Sequence, residues 1–140
     1  MAWLPDTNIL SEGRKPRPDL RVTAFYSGEP LDQLYVSILS TAEIRFGIEL
    51  QEDATRRAEL NNWLTLTLRP AFAGWILPLT EDILLKWRLL METGRKAGHT
   101  YSHPDLVLAA TALHHGFTVV TRDRSDFDKA RVPVFNPWEQ

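Results

Sequence analysis

The stretch Pro104-Asp105-Leu106-Val107-Leu108-Ala109-Ala110-Thr111-Ala112-Leu113-His114-His115-Gly116-Phe117-Thr118-Val119-Val120-Thr121-Arg122-Asp123 decides the fold. It opens on a proline and an acid, the pairing that starts a helix. Proline lacks only an N–H that the first turn leaves unused, and the carboxylate faces the positive end of the helix dipole. Small and apolar residues run on to His115, and Gly116 suits the left-handed residue that closes a helix. Thr118-Val119-Val120-Thr121 is β-branched throughout and predicts a strand. That strand runs out at Arg122-Asp123, so a helix feeds a strand whose far end presents an acid.

Working outward, the same alternation recurs. Ala2-Trp3-Leu4-Pro5 is a short apolar run ending at Asp6-Thr7-Asn8, a brief buried strand that turns into a helix. Arg14–Pro18 is a basic, proline-punctuated loop, and helix resumes around Asp19–Ser27. Leu34–Ile38 is a second strand candidate, followed by a helix from about Thr41 to Gln51 and a longer one over roughly Ala54–Arg69. Trp75–Leu79 is a third strand. Thr80 and Glu81 open an amphipathic helix to about Lys96, and Val132–Phe135 is a short final strand. Strands alternating with helices predict the α/β class: a three-layer α/β/α sandwich around a mostly parallel sheet. The 140 residues fit one domain, 1–140, with no internal repeat, linker or low-complexity tract.

Composition excludes several chemistries. The chain has no cysteine, so a disulfide framework, a zinc–thiolate site and thiol catalysis are out. No apolar run approaches the roughly 20 residues that span a bilayer, and Asp6 interrupts the apolar start of the chain. A soluble, cytoplasmic protein with no membrane partner is the expectation. The net charge of −2 lacks the basic footprint common among nucleic-acid binders. GxSxG, Walker A and GxGxxG patterns are absent, which removes support for hydrolase-elbow, P-loop and dinucleotide readings.

The acids are the informative residues. Asp6 follows the first strand, Glu43 lies early in the helix after the second, Asp105 opens its helix, and Asp123 follows the strand Thr118–Thr121, with Asp126 one turn further on. Each has a plain structural reading. Asp6 suits an N-cap, Ser40-Thr41-Ala42-Glu43 is a capping-box pattern, Asp105 complements a helix dipole, and Asp123 and Asp126 suit turns. Jointly they say more. The carboxyl ends of parallel strands lie along one edge, where such sheets bind ligands. Carboxylates gathered there repel one another and call for cations, and oxygen-only ligands suit Mg²⁺ or Mn²⁺.

Other residues fit less demanding roles. His99 and His103 are four apart, but Gly98 and Pro104 argue against a shared helix face, so a zinc pair has little support; His103 would at most contact substrate or a metal-bound water. His114 and His115 suit a helix C-terminus. Thr121 and Arg122 flank the acids, where Thr121 would orient an acid or a water and Arg122 would neutralise a carboxylate or meet phosphate, against plain strand-end and surface roles. Arg14, Lys15 and Arg17 form a basic loop that would steer an RNA backbone or simply face solvent. Trp63, Trp75 and Trp87 read as core or interface.

With these residues in view, the sequence resembles the PIN-domain ribonucleases of the VapC toxin type. Leu4-Pro5-Asp6-Thr7-Asn8-Ile9-Leu10-Ser11-Glu12 is similar to the family's "LDTNVLSE". Ser37–Gly47 reads Ser-x-x-Ser-x-x-Glu-x-x-x-Gly, Asp105–Ala112 is similar to "DxxIAATA", and Gly116–Phe127 to "GxxLVTRDxxDF". Val134-Phe135-Asn136-Pro137-Trp138 resembles the FitB-like branch. Pro5 and His103 depart from the usual residues, without removing an acid.

The resemblance implies a PIN-like fold and carries over Asp6, Glu43 and Asp105 as metal-site acids. The fourth position is Asp123 or Asp126. In this reading Asp6 and Asp105 ligate Mg²⁺ or Mn²⁺ directly, while Glu43 and Asp123 or Asp126 complete the shell through waters. It implies an endoribonuclease using metal-activated water, acting as the toxin of a toxin–antitoxin pair. The implied partners are RNA, a VapB-type antitoxin, a second copy in a homodimer, and operator DNA only through the antitoxin. Two other classes compete: a non-catalytic binding module on the same fold, and a phosphoacceptor domain. The second wants adjacent acids after strand one and a late lysine beside the pocket, and this chain offers neither at the expected places.

Overall fold

A computed structural model describes residues 2–28 and 33–139. Its first strand, β1 (Trp3–Pro5), leads into α1 (Thr7–Glu12) and then α2 (Leu20–Gly28). β2 (Val36–Ser37) runs directly into α3 (Ile38–Glu49), and α4 (Ala54–Trp63) continues through a π-helical turn at Leu64–Leu68 to the short α5 (Arg69–Ala71). β3 (Ile76–Leu77), α6 (Glu81–Lys96), α7 (His103–His115), β4 (Thr118–Val120), α8 (Ser125–Lys129) and β5 (Val134–Phe135) complete the order, with a 3₁₀ turn at Pro137–Glu139.

All strand pairings are parallel. β4 lies between β1 and β5, and β2 pairs with β3. The two sets join where Trp3 bridges Leu34 and the Trp3 carbonyl accepts from the Tyr35 amide at 3.0 Å. The order is therefore β3-β2-β1-β4-β5, and the chain reverses its direction of growth between β1 and β4.

Both faces of the sheet are covered, as period-2 alternation requires. On one face Trp3 and Val120 join Ile9, Phe25, Ile44 and Leu60 in a core beneath α1 to α4. On the other, Leu4 and Val119 join Leu108, Ala109, Ala112 and Phe127 beneath α7 and α8. Neighbours in sequence thus feed opposite layers, which is the expected three-layer α/β arrangement. The alanines of α7 allow it to sit close on the sheet. The residue that caps its end, Gly116, has φ +74°, a left-handed conformation that favours glycine, and turns the chain into β4. Because α7 ends where β4 begins, its N-terminus lies at the carboxyl edge, beside the ends of β1 and β4.

Several local expectations needed correction. The second strand does not span Leu34–Ile38, because Ser37 accepts a hydrogen bond from the Leu39 amide and starts α3 at Ile38. Ser40 is then inside the helix, not at its cap, and Glu43 lies in the second turn. The Ser40–Glu43 capping box does not form. The longer helix is not continuous from Ala54 to Arg69: the turn before Pro70 widens, and the Arg69 amide reaches back to the Leu64 carbonyl. Proline would clash with the carbonyl four residues earlier in a regular helix. The strand at Trp75–Leu79 contracts to Ile76–Leu77, and that at Val132–Phe135 to Val134–Phe135.

Candidate active site

Asp6 stands just past β1, and its amide extends the ladder to the Val120 carbonyl at 2.9 Å. It is the N-cap of α1, with Oδ1 accepting from the Ile9 amide at 3.1 Å. Its other oxygen accepts from the Thr121 hydroxyl at 2.5 Å. Thr121, at the end of β4, is wholly buried and in turn contacts the Asp123 backbone. Asp6 is only 6% exposed, and burial raises its pKa against the lowering effect of these hydrogen bonds. One buried carboxylate is thus held by both strands that flank the reversal point.

Asp105 enters from the third position of α7 and Glu43 from α3. Asp6, Glu43 and Asp105 line one cleft of about 220 Å³, together with Thr7, Asn8 and Leu108. Asp105 is half-buried and its pKa is pushed up to about 6, first by burial, then by the charge of Asp126, a side-chain hydrogen bond with Asp126, and the charges of Asp6 and Asp123. Asp126 sits in the first turn of α8 and accepts from the Ser102 amide at 2.9 Å. Asp123 is exposed and accepts from the Ser125 amide at 3.1 Å. The fold therefore brings both alternatives for the fourth acid to the same rim. Asp126 acts most strongly on Asp105, whereas Asp123 acts on both Asp6 and Asp105.

Among the described residues, no three acidic or imidazole side chains meet closely enough to hold a metal ion by themselves. The donors suit Mg²⁺ or Mn²⁺ all the same. They are all oxygens, Asp105 takes up a proton where a cation would relieve the repulsion, and Mg²⁺ commonly keeps several waters and only one or two carboxylates.

Tyr26 was not singled out by the sequence. Its hydroxyl is buried without a hydrogen-bond partner, and burial first, then the charge of Asp6, raises its pKa far above the usual phenol range. It marks the close approach of α2 to the site, and nothing local in the sequence signals it. Arg122 points elsewhere: its guanidinium lies 5.0 Å from the Trp138 ring centre, and its charge acts on Asp19. His103 packs edge-on to Trp87 at 6.0 Å and is absent from the acid cleft, and His99 stands against Tyr101. In the basic loop, Lys15 pairs with the buried Glu12 at 3.0 Å, while Arg14 reaches a second cleft beside the acids.

Residues 3–133 match the family described as PIN domain. The chain belongs to the PIN-domain family. Among its relatives, VapC ribonuclease Y4jK of Sinorhizobium fredii is 38% identical, with 96% of each chain covered. Toxin FitB of Neisseria gonorrhoeae is 36% identical over 96% of this chain and 97% of its own. The crystal structure of FitAcB from the same organism superposes with a TM-score of 0.92 at 36% identity, covering 99% of both chains. The acids of this PIN domain lie at the carboxyl edge, where the β1–β4 reversal opens a crevice.

Proposed function

We propose that this chain is a divalent-metal-dependent endoribonuclease, the toxin of a toxin–antitoxin pair. The observation that carries the chemistry is the convergence of Asp6, Glu43 and Asp105 from three separate elements on one cleft, with the pKa of Asp105 raised by burial and then by neighbouring carboxyl groups. The ribonuclease and toxin names of relatives at 38% and 36% identity supply the substrate class and the biological role.

In this reading Asp6 and Asp105 would hold Mg²⁺ or Mn²⁺ directly, and Glu43 with Asp123 or Asp126 would complete the shell through waters. When bound, such ions supply an activated water and neutralise charge developing at phosphorus. The chain's own groups prepare that site. Thr121 and the Ile9 amide fix the Asp6 carboxylate, so one ligand is set before any ion arrives. The side chain of Asp126 raises the pKa of Asp105, after burial, through its charge and a hydrogen bond, and its orientation is set by the Ser102 amide. The expected partners are RNA, a small antitoxin whose cationic side chain would answer the acid cleft, operator DNA reached through that antitoxin, and a second copy of the chain. Among the described residues no helix is long and apolar enough to cross a membrane, and we place the protein in the cytoplasm.

The experiment is cleavage of RNA by antitoxin-free protein with Mg²⁺ or Mn²⁺. Cleavage that EDTA abolishes and that Asp6→Asn or Asp105→Asn reduces by at least ~100-fold supports the reading. Cleavage that persists undiminished in both variants would overturn the site. No cleavage with either ion would leave a binding module in its place.

A further inference from the structure

Next to the acids lies a second cleft, of about 230 Å³, whose walls include Thr7, Arg14, Glu43, Gly47, Gln51 and Trp63. Thr7 and Glu43 also line the acid cleft, so the two spaces share a wall. Glu43 and Gly47 are four apart on α3 and point to one face. Gly47 lies in the last turn of α3, where a glycine still favours the helix less than alanine does, and nothing among the described residues asks for one here. Gly47 is not among the glycines with positive φ, and a Cβ built on it meets no atom within 4 Å. What its bare backbone provides is space, on the turn that follows an acid of the site.

The rest of the lining has the chemistry of base recognition. Trp63 is half-buried against the core, which braces its ring and leaves part of it open to the cleft. The Gln51 backbone is fixed where its carbonyl accepts from Arg57 at 2.6 Å, and its side-chain amide can both donate and accept. Arg14 is exposed and its side chain makes no ion pair or hydrogen bond with the described residues. A braced ring for stacking, an amide for a base edge and an unpaired cation for phosphate are the elements of single-strand recognition. The volume is below the ~300–1,000 Å³ of drug-sized pockets and suits one ring system.

We propose that this cleft is a nucleobase subsite, seating the base of a nucleotide adjacent to the phosphate held over the acids. The proposal rests on the ribonuclease reading for its substrate class. Gly47 keeps the entrance open, Trp63 stacks on the base, Gln51 reads its edge, and Arg14 faces the flanking phosphate.

The test is an NMR titration of the whole chain in Mg²⁺ with each of the four ribonucleoside 5′-monophosphates, and with ribose 5-phosphate as the baseless control. The Trp63 indole N–H is assigned through Trp63→Phe. At least one nucleotide should shift the Trp63 and Gln51 side-chain signals saturably, about tenfold more tightly than ribose 5-phosphate. Gly47→Leu, which fills the cleft with a better helix former, should weaken that binding at least tenfold. Equal binding of ribose 5-phosphate, unchanged binding by Gly47→Leu, or no response of the Trp63 and Gln51 signals to any of the four nucleotides would overturn the proposal. RNA cleavage measured on the same sample separates the two readings. Nucleotide binding without cleavage supports the subsite and sinks the nuclease, whereas cleavage without nucleotide binding sinks the subsite alone. Loss of both overturns both.

Discussion

The two halves of the acid cleft are built differently. On the strand side, Asp6 is nearly enclosed, and each carboxylate oxygen has a protein donor. On the helix side, Asp105 is half-buried, and its pKa is raised first by that burial and then by the carboxyl groups of Asp126, Asp6 and Asp123. The strand half is preorganised by hydrogen bonds. The helix half carries the unrelieved charge. In the proposed metal site, the fixed carboxylate would set the position of a cation and the buried, charge-crowded one would gain most from its arrival.

The sharpest way to break this contrast is to delete each carboxylate. Asp6→Asn and Asp105→Asn should both lower RNA cleavage by at least ~100-fold, but their stabilities should diverge. Asp105→Asn removes repulsion and should melt higher than wild type in EDTA at neutral pH. Asp6→Asn retains its size and disturbs a hydrogen-bonded cap, so thermal melts should show no comparable gain.

Thr121 gives the next largest effect. Thr121→Val keeps the shape of the side chain and removes the hydroxyl that donates to Asp6, so cleavage and metal affinity should fall by about 10–100-fold. Thr121→Ser, which keeps the donor, should recover most of the loss. Equal activity in the valine and serine variants would show that the strand half is not held by this bond.

The pH dependence of stability sharpens the helix half. Asp105 binds its proton near pH 6 in the folded chain, against 3.8 for an ordinary aspartate. Folding therefore takes up a proton between those values, and this group's contribution is fully present below about pH 4 and lost as the pH rises through 6. In EDTA, the Tm advantage of Asp105→Asn over wild type should grow from pH 4 to pH 7, by about 3 °C for each kcal/mol relieved. A pH-independent difference would contradict the crowding. The smallest effect separates the two candidates for the fourth acid. Asp126→Asn should lower the apparent pKa of Asp105, followed by carboxyl NMR, more than Asp123→Asn does, because Asp126 is its strongest charged neighbour.

Much of this candidate site was legible in the sequence because Asp6 and Asp105 sit at element boundaries. Asp6 caps α1 and Asp105 opens α7, as the local patterns of an acid before a helix and Pro-Asp at its start imply. The parallel sheet followed from alternating strands and helices. Glu43 was placed on the correct element but one turn early, because the Ser40–Glu43 pattern reads as a cap, whereas Ser37 ends the β2 pairing with β3 and caps α3 instead. The break before Pro70 depends on how one turn absorbs a missing amide, and α8 is too short for periodicity to reveal. Tyr26 and the second cleft were invisible, because they arise from elements distant in sequence. Gly47 stood in a recognisable motif, but its use became clear only with the empty space beside it.

The most direct measurement is calorimetric titration of Mn²⁺ into the metal-free chain at pH 7.5, beside Asp6→Asn and Asp105→Asn. Saturable binding by wild type that weakens at least ~10-fold in each variant is the expected result. Mn²⁺ binding that is the same in all three proteins, or absent from wild type at millimolar concentrations, would contradict the claim that these carboxylates are gathered to hold a divalent cation.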